Sequence, residues 1–211
     1  MSEYNADYKK VWFETFTGAK VFPFDLDPAT IDIQDIAHAL SMKCRFGGHS
    51  RIFYSVAEHC DRAMRLITQE FVDGILAEKG LCDKIEMPVL KLFTFLHDGA
   101  EAYLPDLIRP IKNHVPFLVE AEKDIIVKIC VKFVGREPTT TERLIIKQAD
   151  NIMLLREAKA LMKNTDGWEL YGIESAGELK SPYGKMTIWA KYDYLKEFEK
   201  LVENNGYKLR I

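Results

Sequence analysis

The chain has 211 residues, 47% of them hydrophobic and 29% charged, and its formal net charge is −3. This length is sufficient for one folded domain with a single core, and the composition excludes a disordered or fibrous protein. The small net charge also excludes general electrostatic attraction to nucleic acid polymers or anionic membranes. We therefore expect a small-molecule partner, and an anionic one would need a local group of cationic side chains.

Residues 1–30 are rich in aromatic residues and prolines, among them Trp12, Phe16 and Pro23. We expect them to form an irregular arm that packs on the core. A secretory signal pattern and an apolar run of about 18 residues are both absent, so we expect no membrane partner. The four cysteines form no CxxC pair, which is typical of free thiols in a reducing compartment. Together these features favour a cytoplasmic protein.

Apolar residues recur at spacings of three and four along the rest of the chain, as they do in amphipathic helices. Strand alternation is absent, and residues 164–185, rich in Gly, Ser and Asp, read as a loop or a short hairpin. We therefore predict an all-α helical bundle in which residues 1–211 form a single domain. The predicted helices cover residues 31–43, 55–68, 85–103, 116–133, 140–163 and 186–204.

The predicted C-terminal helix, residues 186–204, carries several aromatic residues: Trp189, Tyr192, Tyr194 and Phe198. Two interpretations fit them equally. The helix either caps the core of its own chain or contributes to the interface of a homo-oligomer.

Three of the predicted helices place ionisable residues on their apolar faces. His59 lies between Val56 and Ala63, the dyad His97-Asp98 follows Phe93, and Asp150 shares a face with Met153. Each alone is explained by a satisfied core histidine or a salt-bridged aspartate. Burying a carboxylate is expensive unless an ion pair, hydrogen bonds or a metal compensates. Together, two imidazoles and two carboxylates suit a divalent ion such as Co, Mn, Zn, Fe or Mg.

The order of these residues resembles the signature H…HD…D of the HD-domain phosphohydrolases. The segment YSVAEHC supplies His59, FLHDGAE supplies His97-Asp98, and KQAD supplies Asp150. The longer stretch HDGAEAYLPDLIRPIK is similar to that of the bacterial 5′-deoxynucleotidases and the phage dATP triphosphohydrolases in this superfamily. The resemblance implies a helical HD-domain fold and a metal held by these four side chains.

The resemblance also implies catalytic roles for Glu101 and Asp106. Glu101 would orient or deprotonate the attacking water, and its spacing from His97 is one turn of the predicted helix. Asp106, in the following loop, would lie near the leaving oxygen. Their alternative interpretations are a solvated helix carboxylate and a cap residue after a proline.

Cationic residues and one loop histidine complete the implied site. Lys112 and Lys147 correspond to lysines that contact polyphosphate, although both could equally be solvated. Arg45 matches an arginine beside the sugar and phosphate, but Phe46 follows it where the deoxynucleotidases carry tryptophan. His49, on the same loop, either contacts phosphate or sugar or is a surface residue.

These features lead to an expected reaction, the hydrolysis of a deoxynucleotide at its α-phosphate. The first expectation is a dNTP, preferentially dATP, converted to deoxynucleoside plus triphosphate. The alternative is a 5′-deoxynucleotidase that converts dNMP to deoxynucleoside plus phosphate. A non-catalytic nucleotide-binding module and a structural protein with a buried polar cluster are the remaining alternatives.

Overall fold

The computed structural model describes residues 7–168, 176–180 and 184–206. Within these ranges the chain is dominated by helices, and the predicted all-α bundle is confirmed. The α-helices of the described residues are α1 (Ile33–Met42), α2 (Val56–Arg65), α3 (Gln69–Lys79), α4 (Met87–Leu96), α5 (Arg109–Lys112), α6 (Pro116–Val134), α7 (Thr140–Leu161) and α8 (Thr187–Asn204).

The N-terminal arm is more regular than expected. A short antiparallel hairpin pairs strand β1 (Phe13–Glu14) with strand β2 (Lys20–Val21), so the expectation that the chain contains no strand is wrong here. Two-residue strands are too short to produce a readable alternation, which explains the miss. The backbone N–H of Thr17 donates to Asp35 Oδ1 at 2.7 Å, and this bond fastens the hairpin turn to α1.

Helices α2 and α4 lie side by side at the centre of the bundle. Helix α2 packs against α1, α7 and α8, while α4 packs against α6, α7 and α8. Their fully buried apolar side chains form much of the main core, with Val56 and Cys60 on α2 and Leu92 and Phe95 on α4. His59 lies on α2 and His97 directly follows α4, so the two histidines of the predicted site come from this central pair of helices.

Helix α2 begins with a capping box that fixes its first turn. Ser55 Oγ accepts from the backbone N–H of Glu58 at 3.2 Å, and Glu58 Oε2 accepts from the backbone N–H of Ser55 at 3.1 Å. This reciprocal pair satisfies backbone donors that have no partner within the helix. His59 follows one residue later, so its position is set by a rigid helix start.

The predicted helix 85–103 is wrong in its extent, because α4 ends at Leu96. Asp98 has φ −98° and ψ 13°, and a 3-10 turn over Gly99–Ala102 follows it. Helix α6 presses on this turn: a Cβ added at Gly99 would lie 3.2 Å from Ile129 Cδ1. His97 keeps helical dihedral angles as the C-cap of α4, and the backbone leaves the helical path at Asp98.

Helix α7 is the longest of the described helices and carries Asp150. Its start is fixed by a second capping box, in which Thr139 Oγ1 accepts from the backbone N–H of Glu142 at 3.2 Å and Glu142 Oε2 accepts from that of Thr139 at 2.7 Å. Helix α7 packs against both α2 and α4, which brings Asp150 towards the two histidines.

Helix α8 closes the bundle and agrees with the predicted C-terminal helix. Tyr194 and Phe198 are buried as a capping helix requires, whereas Trp189 and Tyr192 are exposed. The loop or hairpin expected for residues 164–185 lies partly outside the described residues. Across the described ranges, every helix is too short or too polar to cross a bilayer.

Candidate metal centre

His59, His97 and Asp98 come together where α2 meets the end of α4, and this cluster could hold a metal ion. One ligand atom from each lies within 4.8 Å of the others. The Nε2 atoms of the two imidazoles are 3.3 Å apart, and His59 Nε2 lies 3.5 Å from Asp98 Oδ2. His97 Nε2 lies 3.4 Å from Asp98 Oδ1, so both carboxylate oxygens face an imidazole.

Each imidazole is oriented through its other ring nitrogen. His97 Nδ1 lies 2.7 Å from the backbone oxygen of Thr94, which can only accept, so Nδ1 is the donor. His59 Nδ1 lies 2.8 Å from Glu157 Oε1. Donation from both Nδ1 atoms leaves the Nε2 lone pair of each neutral ring directed at the cluster, as in metal-binding histidines.

Asp150 reaches the same cluster from α7, since its Oδ1 lies 3.4 Å from His59 Nε2. Asp150 joins the cluster through His59 and lies outside the group of three whose ligand atoms are all within 4.8 Å of one another. The two imidazoles and Asp98 face one another across 3.3 to 3.5 Å. Such an arrangement of acceptors is repulsive unless a cation or protons lie among them. When two ligand atoms each lie about 2.1 Å from one metal ion, they are roughly 3.0 to 3.4 Å from each other. The separations between these side chains are similar, so the residues fit a divalent metal.

The charges of the cluster perturb one another. Burial and the nearby Arg45 lower the pKa of His59, but the carboxylates of Glu157 and Asp150 outweigh them and raise it to about 9. Burial alone would raise the pKa of Asp98 and of Asp150, yet the imidazoles hold both below the usual range. Both aspartates are therefore ionised at neutral pH, and a metal would compete with a proton for His59 Nε2.

Arg45 lies against the cluster rather than in open solvent. Its guanidinium is buried, with Nη1 3.6 Å from Asp98 Oδ2 and with Nε and Nη2 each 3.3 Å from Glu157 Oε2. The negative charges of Glu157 and Asp98 raise the pKa of Arg45 even though burial opposes this. The predicted substrate-binding arginine is thus also a neighbour of a predicted ligand.

Glu101 is buried beside the cluster even though the helix that was expected to carry it has ended. Its Oε2 is a buried oxygen without a hydrogen-bond partner among the described residues. Burial, followed by the charges of Asp98 and Asp106, raises the pKa of Glu101 well above its usual value. Asp106 lies in the loop before α5, as predicted, and its side chain is half-buried. Lys43 Nζ donates to the backbone oxygens of Glu101 and Leu104 and ties this segment to α1.

Cationic side chains surround the outer oxygen of Asp150. Lys147 Nζ lies 2.6 Å and Arg109 Nη2 3.5 Å from Asp150 Oδ2, the oxygen turned away from His59. Lys112 instead forms a 2.5 Å ion pair with Glu122 on α6. Burial lowers the pKa of Lys112, but the hydrogen bond and charge of Glu122, followed by the charges of Glu101 and Asp98, raise it above the usual value. Both predicted phosphate-binding lysines therefore already have carboxylate partners.

The loop between α1 and α2 holds the last predicted residue. His49 is exposed at the end of the 3-10 turn Arg45–Gly48, and no hydrogen bond or ion pair within the described ranges joins its side chain to the cluster. Phe46 has φ 58°, a left-handed conformation that is unfavourable for an aromatic residue and is concentrated at functional sites. Its ring packs edge-on against Trp168, with centroids 6.4 Å apart.

Sequence reasoning missed three residues that shape the site. Glu157 could have been found, because it follows Asp150 by seven residues and so shares its helix face. Arg109 was not predicted as a site residue, because its contact with Asp150 joins residues 41 positions apart in the chain. Lys43 had no signal in the sequence, since it acts on backbone oxygens that are distant along the chain.

Comparison with known proteins places the chain in a family without assigning it an activity. No family model matches the chain. It is 33% identical over 150 residues to the uncharacterized protein YfdR of Escherichia coli (strain K12). This match covers 71% of this chain and 72% of YfdR. It is also 32% identical over 106 residues to the uncharacterized protein RCAP_rcc00048 of Rhodobacter capsulatus, which covers 49% of this chain and 48% of that protein. The extent of the first match shows that the chain belongs to the same protein family as YfdR.

Proposed function

We propose that the protein is a metal-dependent phosphohydrolase that acts on deoxynucleotides. One observation carries this proposal: the side chains of His59, His97 and Asp98 come within 3.3 to 3.5 Å of one another. Asp150 adds a carboxylate 3.4 Å from His59, with Lys147 and Arg109 at its outer oxygen. Carboxylates and imidazoles suit a divalent ion, and cations next to that ion suit phosphate oxygens. The resemblance of the sequence to HD-domain phosphohydrolases supports the same assignment.

His59, His97, Asp98 and Asp150 would hold the metal, with Co, Mn, Zn, Fe and Mg as candidates. When bound, such an ion lowers the pKa of a water molecule to about 7 and polarises a phosphoryl oxygen. The chain prepares this site in advance, because Thr94 and Glu157 fix the two rings before any ligand arrives.

Glu101 would orient the attacking water, and Asp106 would act on the leaving oxygen. Burial and the charges of Asp98 and Asp106 raise the pKa of Glu101, which makes its carboxylate a stronger base than that of an exposed glutamate. In the balanced reaction, the water oxygen bonds to the α-phosphorus, the bond from phosphorus to O5′ breaks, and a proton reaches O5′. That proton would come from the attacking water, which would lose it to Glu101, and it would reach O5′ by way of Asp106 in the loop before α5.

Cations would meet the charge that grows on the phosphoryl oxygens. Lys147 and Arg109 lie at Asp150, and Arg45 lies at Asp98, so positive charge flanks both carboxylate ligands. Positioning and electrostatic stabilisation of this kind supply most of the catalysis in phosphoryl transfer. Lys112 would join them after exchanging Glu122 for a phosphate oxygen, and His49 would approach from the loop that carries Arg45.

The substrate we favour is a dNTP, preferentially dATP, cleaved to deoxynucleoside and triphosphate, because several cations are available for a polyphosphate. A 5′-deoxynucleotidase that acts on dNMP is the second candidate, since its chemistry requires the same centre. A non-catalytic nucleotide-binding module is disfavoured, because every implied ligand and Glu101 are present.

Location and assembly belong to the same proposal. We place the protein in the cytoplasm, because all four cysteines are free. A homo-oligomer would use the exposed Trp189 and Tyr192 of α8, whose aromatic rings have no role in the core of their own chain. Sedimentation of the purified protein measures the assembly state.

The test is direct hydrolysis by the purified, metal-loaded protein. Each dNTP, dNMP and rNTP is incubated with protein loaded with Mn, Co, Mg or Zn, and the products are separated by chromatography. We expect deoxynucleoside together with triphosphate, or with phosphate if the monophosphate is the substrate. Absence of hydrolysis with every metal and nucleotide would contradict the proposed function.

A further inference from the structure

Glu157 is a fully buried carboxylate near the C-terminal end of α7, and its two oxygens contact different partners. Oε1 lies 2.8 Å from His59 Nδ1, and Oε2 lies 3.3 Å from both Nε and Nη2 of Arg45. It follows Asp150 by seven residues, close to two helical turns, so both carboxylates face α2. One residue thus joins a proposed metal ligand to a proposed substrate-binding arginine.

Stability alone is a poor reason for such a group. A buried ion pair loses its hydration, and well-packed apolar side chains of similar volume are often at least as stabilising. Glu157 is 0% exposed and Arg45 9% exposed, so both charged groups have lost nearly all of their hydration. A buried charged triad beside a proposed active site therefore calls for a functional reason.

The geometry at His59 supplies one reason. The ring donates Nδ1–H to Glu157, which fixes its plane and leaves Nε2 to face His97, Asp98 and Asp150. His97 is held in the same manner, but by the neutral backbone oxygen of Thr94. A carboxylate partner makes an imidazole a better electron donor than a carbonyl partner does.

The geometry at Arg45 supplies the other reason. Two of its nitrogens are held by Glu157, while Nη1 points to Asp98 at 3.6 Å. An arginine fixed at one edge of its planar guanidinium keeps the other edge in a defined direction. Glu157 accepts the hydrogen bonds that join Arg45 to α7 among the described residues.

We infer that Glu157 is a positioning residue that orients His59 and Arg45 together, and so couples metal affinity to the placement of substrate. This inference rests on the proposed function for its substrate half, whereas its metal half stands on the cluster of His59, His97 and Asp98. Removal of the carboxylate should weaken metal binding and raise KM in the same variant.

The test compares two buried glutamates of the same helix. Glu157→Gln keeps the shape of the side chain but removes its charge, and Glu142→Gln does the same at an ion pair with Arg136 near the start of α7. Mn²⁺ binding is measured by isothermal titration calorimetry and thermal stability by circular dichroism. We expect about 10- to 100-fold weaker Mn²⁺ binding in Glu157→Gln, and wild-type affinity in Glu142→Gln.

A merely structural role would lower the melting temperature of both variants and leave Mn²⁺ affinity unchanged, which would overturn the inference. If Glu157→Gln does not fold, Glu157→Asp withdraws the carboxylate by one methylene while keeping its charge. Wild-type Mn²⁺ affinity in a folded Glu157→Asp would overturn the inference equally. Mn²⁺ binding without hydrolysis by the wild type would defeat the proposed function and the substrate half of the inference, while the metal half would still be tested by Glu157→Gln. Absence of Mn²⁺ binding by the wild type would defeat both halves and the proposed function.

Discussion

The double substitution Lys112→Ala and Lys147→Ala should separate triphosphate from monophosphate substrates. Lys147 Nζ lies 2.6 Å from Asp150 with its side chain 58% exposed, and Lys112 Nζ lies 2.5 Å from Glu122 with its side chain 27% exposed. Each ammonium must therefore share or exchange a carboxylate to grip a phosphate. A hydrogen bond to a charged group contributes about 1.5–3 kcal/mol, and the exchange reduces this to about 1–2 kcal/mol per lysine.

For both lysines the loss is roughly 2–4 kcal/mol, or about 30- to 1000-fold in kcat/KM for a dNTP. A dNMP lacks the β- and γ-phosphates, so its kcat/KM should fall by less than about tenfold. The assay measures initial rates on both substrates at several concentrations. Lys200→Ala is a matched control, because this lysine also forms an exposed pair three residues away, with Glu197 on α8. Equal losses on dNTP and dNMP would refute the assignment of these lysines to the outer phosphates.

Three further substitutions test the fold that supports the site. Burial raises the pKa of Glu142, but the hydrogen bonds and charge of Arg136 outweigh burial and hold this pKa below its usual value. The ion pair therefore stabilises the fold above about pH 4.3, the usual pKa of a glutamate. This stabilisation is lost as the pH falls through the pKa of Glu142 in the folded protein. Glu142→Gln should accordingly lower the melting temperature at pH 7, by about 2–4 °C for each kcal/mol lost. If the wild type and the variant still differ in melting temperature by the same amount at pH 3, the ion pair is not the cause. Ser55→Ala removes the side-chain cap of α2 and should cost about 1 kcal/mol in urea unfolding, with no loss as the contrary result. Gly135→Ala places a side chain at φ 82° after α6 and should cost about 1–2 kcal/mol by the same method, whereas a neutral effect would show that the backbone relaxes.

Much of the helical architecture could be predicted because its signals are local. Apolar spacing located α6 and α7 to within two residues at each end, since both lie in long periodic segments with clear starts. The end of α4 could not be predicted in this way. The sequence 85–103 continues the helical spacing, whereas the 3-10 turn after Leu96 packs against α6, a helix that comes later in the chain.

The ligands of the candidate site could be predicted from the sequence, whereas the contacts around them could not. His59, His97 and Asp98 were predicted as a group, and the structure brings them together. The partners of the predicted cations were not foreseen, because pairs such as Lys112 with Glu122 depend on how α5 packs against α6. Glu157 was passed over because a glutamate on a long helix usually faces solvent, and only the packing of α7 on α2 buries it.

The central claim is that His59, His97, Asp98 and Asp150 hold a divalent metal. Calorimetric titration of the wild type and of Asp98→Ala with Mn²⁺, with circular dichroism to verify folding, tests it most directly. We expect saturable, stoichiometric Mn²⁺ binding by the wild type and loss of that binding in the folded Asp98→Ala variant. Absence of binding by the wild type, or equal affinity in the two proteins, would contradict it.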